Sequence, residues 1–134
     1  MKNQYFGDIN DYRKYGLLRA IISATKLRPL VAWMLTPDDG GRDGNFTTYL
    51  EDPDRWENYD RPLFLGLNQL FSSELERSVA LLEGTSLLER SAYFSDVVPD
   101  DGDGRTEWFR RLERCAEAHN FVFLDPDTGL EARS

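Results

Sequence analysis

The 134-residue chain has one cysteine, one histidine and no long apolar run, and each scarcity removes a class of chemistry. A lone Cys115 forms no intrachain disulfide and supports no cysteine-rich metal site. No apolar stretch approaches the roughly 18–20 residues needed to cross a membrane. Met1 to Phe6 lacks the apolar core of a signal peptide. The reading from these absences is a cytoplasmic protein with no membrane partner.

Basic charge is also scarce. Sixteen Lys and Arg face 24 Asp and Glu, for a net charge of -8 and a pI near 4.6. Such a surface repels a polyanionic duplex unless its basic residues are grouped, and here they partly are. Residues 1–35 hold six basic and two acidic residues, whereas residues 36–134 hold ten basic and 22 acidic. A basic N-terminal surface beside an acidic pocket is the functional reading of that split. The phosphate-binding signatures Gly-x-Gly-x-x-Gly and Gly-Lys-Ser/Thr are missing. Calcium loops fail too: with Gly44 or Gly104 at position six, Leu50 or Arg110 stands where a Glu ligand is required.

What is present fits one domain. Hydrophobic residues make up 40% and charged residues 30%, a globular balance. Asn10 or Asp11 caps a first helix, with Leu17, Leu18, Ile21 and Ile22 at helical spacing through about Thr25. Leu30 to Leu35 is a continuous apolar run of strand length that stops at the loop Thr36–Gly41. Asp60 and Pro62 open a helix carrying Leu63, Leu65, Leu67 and Leu70. Ser72 or Ser73 caps another, with Leu75, Val79 and Leu82 on one side and Gly84 at its end. A short strand at Ala92–Phe94 precedes an acidic loop at 99–104. Thr106 then caps a helix with Trp108, Phe109, Leu112 and a core Cys115. Phe121 to Leu124 is a second buried-type strand, ending at Asp125-Pro126-Asp127-Thr128-Gly129.

Strands and helices alternate. The fold expected is α/β: a Rossmann-like, mostly parallel sheet with crossover helices over 1–134, with part of the sheet missing if the chain is a shortened form. Ligands of such folds bind outside the carboxyl ends of the strands, so the loops at 36–41 and 125–129 should open on one edge.

That geometry nominates residues. Asp125 and Asp127 follow a rigid strand and are the candidate catalytic carboxylates. Asp38, Asp39 and Gly40 occupy the first contact loop and are candidate cofactor ligands. Asp11, Lys14 and Tyr15 lie within one helical turn on a shared face, and Asp11, Tyr12 and Lys14 are the candidate substrate contacts, the Lys for phosphate and a tyrosine of this turn for stacking. Asp38, Asp125 and Asp127 would together offer oxygen ligands to Mg²⁺. His119 follows the last helical pattern, where a cation suits the helix C-terminus; no Gly-x-Ser-x-Gly elbow accompanies it. Trp33, Trp56 and Trp108 read as packing residues.

Two motifs carry a resemblance. Tyr5-Phe6-Gly7-Asp8-Ile9-Asn10-Asp11-Tyr12-Arg13-Lys14-Tyr15-Gly16-Leu17-Leu18-Arg19 and Phe123-Leu124-Asp125-Pro126-Asp127-Thr128-Gly129-Leu130-Glu131 resemble an uncharacterised bacterial family of conserved hypothetical proteins. The resemblance runs on through Trp33, Leu35–Asp38 and Tyr59-Asp60. It implies that the chain is an N-terminal portion or a shortened member, and it implies no activity. More distantly, the order of a helix with Asp and Lys, a strand, a Gly-containing loop and a late strand ending in Asp125-Pro126 is similar to bacterial adenine-N6 methyltransferases. In those, an Asp/Asn-Pro-Pro-Tyr/Phe motif holds the target amine. Here Asp127 replaces the second Pro and Thr128 the aromatic, and no Gly-x-Gly follows Leu35.

Three functions are therefore expected to compete. The first is a methyltransferase-related enzyme domain acting on a nucleotide or nucleic acid, with S-adenosylmethionine as cofactor. The second is a Mg²⁺-dependent phosphodiesterase or nuclease. The third is a non-enzymatic acidic inhibitor or decoy that binds a basic protein partner.

Overall fold

In the computed structural model, which describes residues 1–73 and 76–127, three short parallel strands form the centre of the molecule. They are β1 (Pro29–Ala32), β2 (Ala92–Phe94) and β3 (Phe121–Leu124), in the order β2-β1-β3. The central β1 is buried at every position, as an apolar run between two neighbours should be. Leu30 pairs with Ala92 on one side and with Val122 on the other. The α/β reading with a parallel sheet and crossover helices holds, but the edge strand β3 is not of the buried type expected: Val122 and Leu124 are exposed, because α5 packs over β1 and β2.

Side-chain alternation divides the core in two. Val31 and Trp33 point into the larger half, with Tyr15 and Leu18 of α1 (Ile9–Ala24), Leu63 and Leu67 of α3 (Arg61–Ser73) and Leu82 of α4 (Val79–Glu83). Leu30 and Ala32 point the other way, onto Trp108 and Leu112 of α5 (Gly102–Ala116). A one-turn helix, α2 (Pro53–Trp56), lies between α1 and α3 in sequence. Among the described residues, no helix is long and apolar enough to cross a membrane.

Several local expectations shift. Strand β1 ends at Ala32 rather than Leu35 because Met34 takes a left-handed φ of 46°, which turns the chain out of the ladder. Asp8, not Asn10 or Asp11, caps α1: its Oδ1 accepts from the Asn10 N–H at 2.8 Å. The buried face of α1 runs through Tyr12, Tyr15, Leu18 and Ile22, and Leu17 stands outside, because the tyrosines fill the positions facing the sheet and α3. Asp60 caps α3 as expected, accepting from Leu63 N–H at 3.1 Å. Phe64 is buried there and Leu65 is exposed. Ser78 caps α4, while Ser72 and Ser73 bond back to carbonyls of α3; Leu75 lies outside the described residues.

The acidic loop expected at 99–104 is already helical from Gly102. Asp101 caps that helix through Gly104 N–H, displacing Thr106 from the role. Cys115 is exposed, not core. Trp108, Leu112 and Ala116 form the stripe of α5 that packs on the sheet, and Cys115 lies beside that stripe at the surface. A thiol reagent should therefore modify Cys115 in the folded protein, one equivalent per chain and without denaturant. Labelling that waits for unfolding would return Cys115 to the interior.

Candidate functional site

The strand order places β1 between both partners, so the chain leaves the carboxyl end of β1 toward one neighbour and returns as β3 on the other side. That is a topological switch point, where open α/β sheets form a ligand crevice. Asp125 is the first residue beyond β3, and its N–H extends the ladder to Ala32 O at 2.9 Å. The strand pairing thus fixes the buried Asp125 carboxylate, with its side chain 9% exposed, at the crevice floor.

Lys14 of α1 reaches that carboxylate across 111 positions, donating to both oxygens at 2.9 and 2.8 Å. The same ammonium lies 2.8 Å from Asp11 Oδ1. Asp11 Oδ2 accepts from Gly7 N–H and from the Tyr15 hydroxyl, both at 3.0 Å. The result is one cation between two buried anions. Burial raises the Asp11 carboxyl above its ordinary value, and nearby Asp125 adds to that rise against Lys14 and Gly7. Burial alone would lower Lys14, yet the two carboxylates outweigh it and the ammonium is held above its usual value. The two directions agree once the cluster is seen to carry an excess negative charge: the lysine keeps its proton, and Asp11 is drawn toward gaining one. Tyr15, fully buried beside Asp11, is pushed well up by burial and by that charge.

Above this floor the first residues of the chain cross the crevice. Lys2 lies 3.0 Å from Asp39 and 3.1 Å from Asp127, tying the loop after β1 to the loop after β3. Thr36 also donates to Asp127 at 3.1 Å. The Gln4 side chain donates to Asp39 and accepts from the N–H groups of Asp39 and Gly40. Hydrogen bonds from Gly41 N–H, Lys2 and Gln4 bring the Asp39 carboxyl down to about 2. The Met1 ammonium donates to Met34 O and Asp125 O, and Met1 O accepts from Thr36 N–H. The open part of the crevice measures about 440 Å³ and is walled by Asp11, Lys14, Asp39, Asp125 and Asp127.

Not every nominated residue meets there. Asp38 accepts from Gln4 N–H at 3.1 Å and faces a neighbouring hollow with Asn45 and Arg77. Tyr12 turns away, donating to Trp56 O at 2.8 Å and stacking on Tyr49. Gly40 is at the surface with φ +67°, its N–H taken by Gln4. The proposed Mg²⁺ set of Asp38, Asp125 and Asp127 is not assembled. Each carboxylate has its own donor, namely Gln4, Lys14 or Lys2, and among the described residues no group of three acidic, His or Cys side chains is placed to hold a metal ion. Gly129 and Thr128 lie outside the described residues.

Lys2, Gln4 and Asp8 belong to the site without having been read from the sequence. Asp8 was legible in principle, since Asp8 and Asp11 are spaced as a cap and its N3 partner. Lys2 and Gln4 gave no local signal. Comparison of the chain with protein-family models, with curated proteins and with solved structures returns no match, so the chemistry of the crevice rests on its own residues.

Proposed function

We propose that this is an enzyme-type α/β domain directed at a nucleotide or nucleic acid, and that the crevice between β1 and β3 receives the nucleoside part of its ligand. The observation that carries the reading is the buried Asp125 carboxylate, held by Lys14 at the switch-point floor. A carboxylate has about four acceptor sites, and Lys14 uses two of them. The remainder face a cavity of nucleoside size, where a ribose hydroxyl or an exocyclic amine is the matching donor. Asp125 would take that hydrogen bond, and Asp39 and Asp127 would contact neighbouring donors.

S-adenosylmethionine does not fit the loop after β1 in this arrangement. The N–H groups of Thr36, Asp39 and Gly40 are already used by Met1 and Gln4.

The test is ligand-dependent stability. Adenosine, AMP and S-adenosylmethionine, each at about 100 times its dissociation constant, would add ~2.7 kcal/mol to folding, several degrees in Tm for a domain of this size. A nucleoside or nucleotide is expected to give that shift, and Asp125→Asn is expected to remove it. If the whole series produces neither heat in calorimetry nor a change in Tm, the reading fails.

A further inference from the structure

The opposite flank of α1 holds a second cavity of about 440 Å³, lined by Tyr12, Arg13, Gly16, Trp56, Tyr59 and Asp60. The geometry points to a second nucleotide site there, in which a nucleobase stacks on Trp56 and Tyr59 while its phosphate pairs with Arg13. This goes beyond the crevice reading and does not depend on it.

The aromatic surface is built and open. Tyr59 is 77% exposed, far more than a packing tyrosine, and its ring centroid lies 5.9 Å from that of Trp56. Trp56 is held on its edge by Tyr49, and its backbone carbonyl by the Tyr12 hydroxyl. A planar cation already uses the indole, because the Arg55 guanidinium lies 5.2 Å from the ring centroid. Gly16 leaves the floor low: a Cβ there would meet only Leu63 at 3.9 Å.

The charge pattern selects the occupant. Asp60 is paired with Arg19 at 2.6 Å, and Glu57 with Arg61 at 2.6 Å. Arg13 is exposed and has no ion pair among the described residues. The pocket therefore offers aromatic faces with an unmatched cation at the rim, which suits a base bearing a phosphate. A quaternary ammonium would meet Arg13 unfavourably.

Helix periodicity connects this pocket with the crevice. Asn10, Asp11 and Lys14 line the crevice; Tyr12, Arg13 and Gly16 line the pocket. Between them α1 presents an exposed strip of Asn10, Arg13, Leu17 and Ala20. The two cavities are thus about one helix diameter apart, roughly 10–12 Å. A single strand crossing α1 would fill both, whereas a free nucleotide would use either one alone.

The experiment titrates thymidine monophosphate and a short single-stranded oligothymidylate against the full chain, reading tryptophan fluorescence. Trp33 and Trp108 are fully buried, so quenching reports Trp56. Both ligands should quench, the oligonucleotide at lower concentration if the natural ligand is a strand and equally if it is a free nucleotide. Stacking on an aromatic is worth about 1–3 kcal/mol per base, so Tyr59→Ala should weaken binding at least about fivefold with Tm unchanged. Arg13→Gln should flatten the salt dependence by about 0.7 in log–log slope. Absence of quenching by both ligands would overturn the inference. So would wild-type affinity in both Tyr59→Ala and Arg13→Gln. Thymidine monophosphate binding lost in Asp125→Asn but intact in Tyr59→Ala would overturn the second site while leaving the crevice reading in place.

Discussion

Replacing Lys14 by methionine is expected to lower folding stability by about 3–4 kcal/mol near pH 7, measured from urea midpoints. Methionine keeps much of the packing of the lysine stem and deletes the ammonium. Asp11 and Asp125, with side chains 2% and 9% exposed, are then left as two neighbouring buried anions. Lys14 itself is 30% exposed, which places the loss toward the lower end of the range for breaking a buried pair. Against the ~5–15 kcal/mol that holds an ordinary domain together, a loss of this size is visible in any melt.

The pH dependence identifies the cause. Folding raises the Asp11 carboxyl above its ordinary value of 3.8, so the folded state binds the proton more readily than the unfolded chain does. The resulting penalty is absent below that ordinary value and grows as pH rises through the folded one. Without Lys14 the rise is larger, so the gap between variant and wild type should be small near pH 4 and should widen as pH rises. Lys14 contributes at the other extreme. Its folded value lies above 10.5, so its stabilisation is complete below 10.5 and is lost as pH climbs through the folded value. The wild type should weaken there and the variant should not. A deficit that is the same at every pH would mean that Lys14 acts through packing and that the charge account is wrong.

The strands were legible because continuous apolar runs bounded by Pro, Asp and Gly have few other uses in a chain of this length. Their parallel pairing followed from the intervening helices, and with it the shared edge for the two acidic loops. Which aspartate of the first loop faces the crevice did not follow. Asp38 and Asp39 are adjacent, and the choice is made by Gln4, whose side chain holds Asp39 inward while its N–H takes Asp38. Helix caps were misplaced for a similar reason. Asp8, Asn10 and Asp11 can all cap by composition, and what selects Asp8 includes its second bond, to Phe46 N–H at 3.0 Å, made 38 residues away. The tyrosines of α1 misled in another way: Tyr12 and Tyr15 read as ligand contacts, yet both are buried with their hydroxyls satisfied inside the protein.

Gly7→Ala should be nearly as damaging as loss of Lys14, at roughly 3–4 kcal/mol. Gly7 sits at φ +78°, where an L side chain costs about 1–2 kcal/mol. The space is also occupied: an added Cβ would fall inside the ring of Phe71, which stacks on the fully buried Phe6 with centroids 6.0 Å apart. Moving that ring means repacking a filled core, commonly another ~1–3 kcal/mol. The backbone of Gly7 is tied on both sides, since its N–H donates to Asp11 and its carbonyl accepts from Tyr49. Displacement there would loosen one of the donors that hold Asp11 beside Lys14. Gly40 provides the matched comparison. It has φ +67° with nothing within 4 Å of an added Cβ, so Gly40→Ala should cost only the conformational part, about 1–2 kcal/mol. Equal losses at the two positions would show that Phe71 yields freely and that backbone conformation alone requires glycine at position 7. A larger loss at Gly7, accompanied by a changed pH dependence of stability, would show the Phe6–Phe71 stack and the Asp11–Lys14–Asp125 cluster to be mechanically connected.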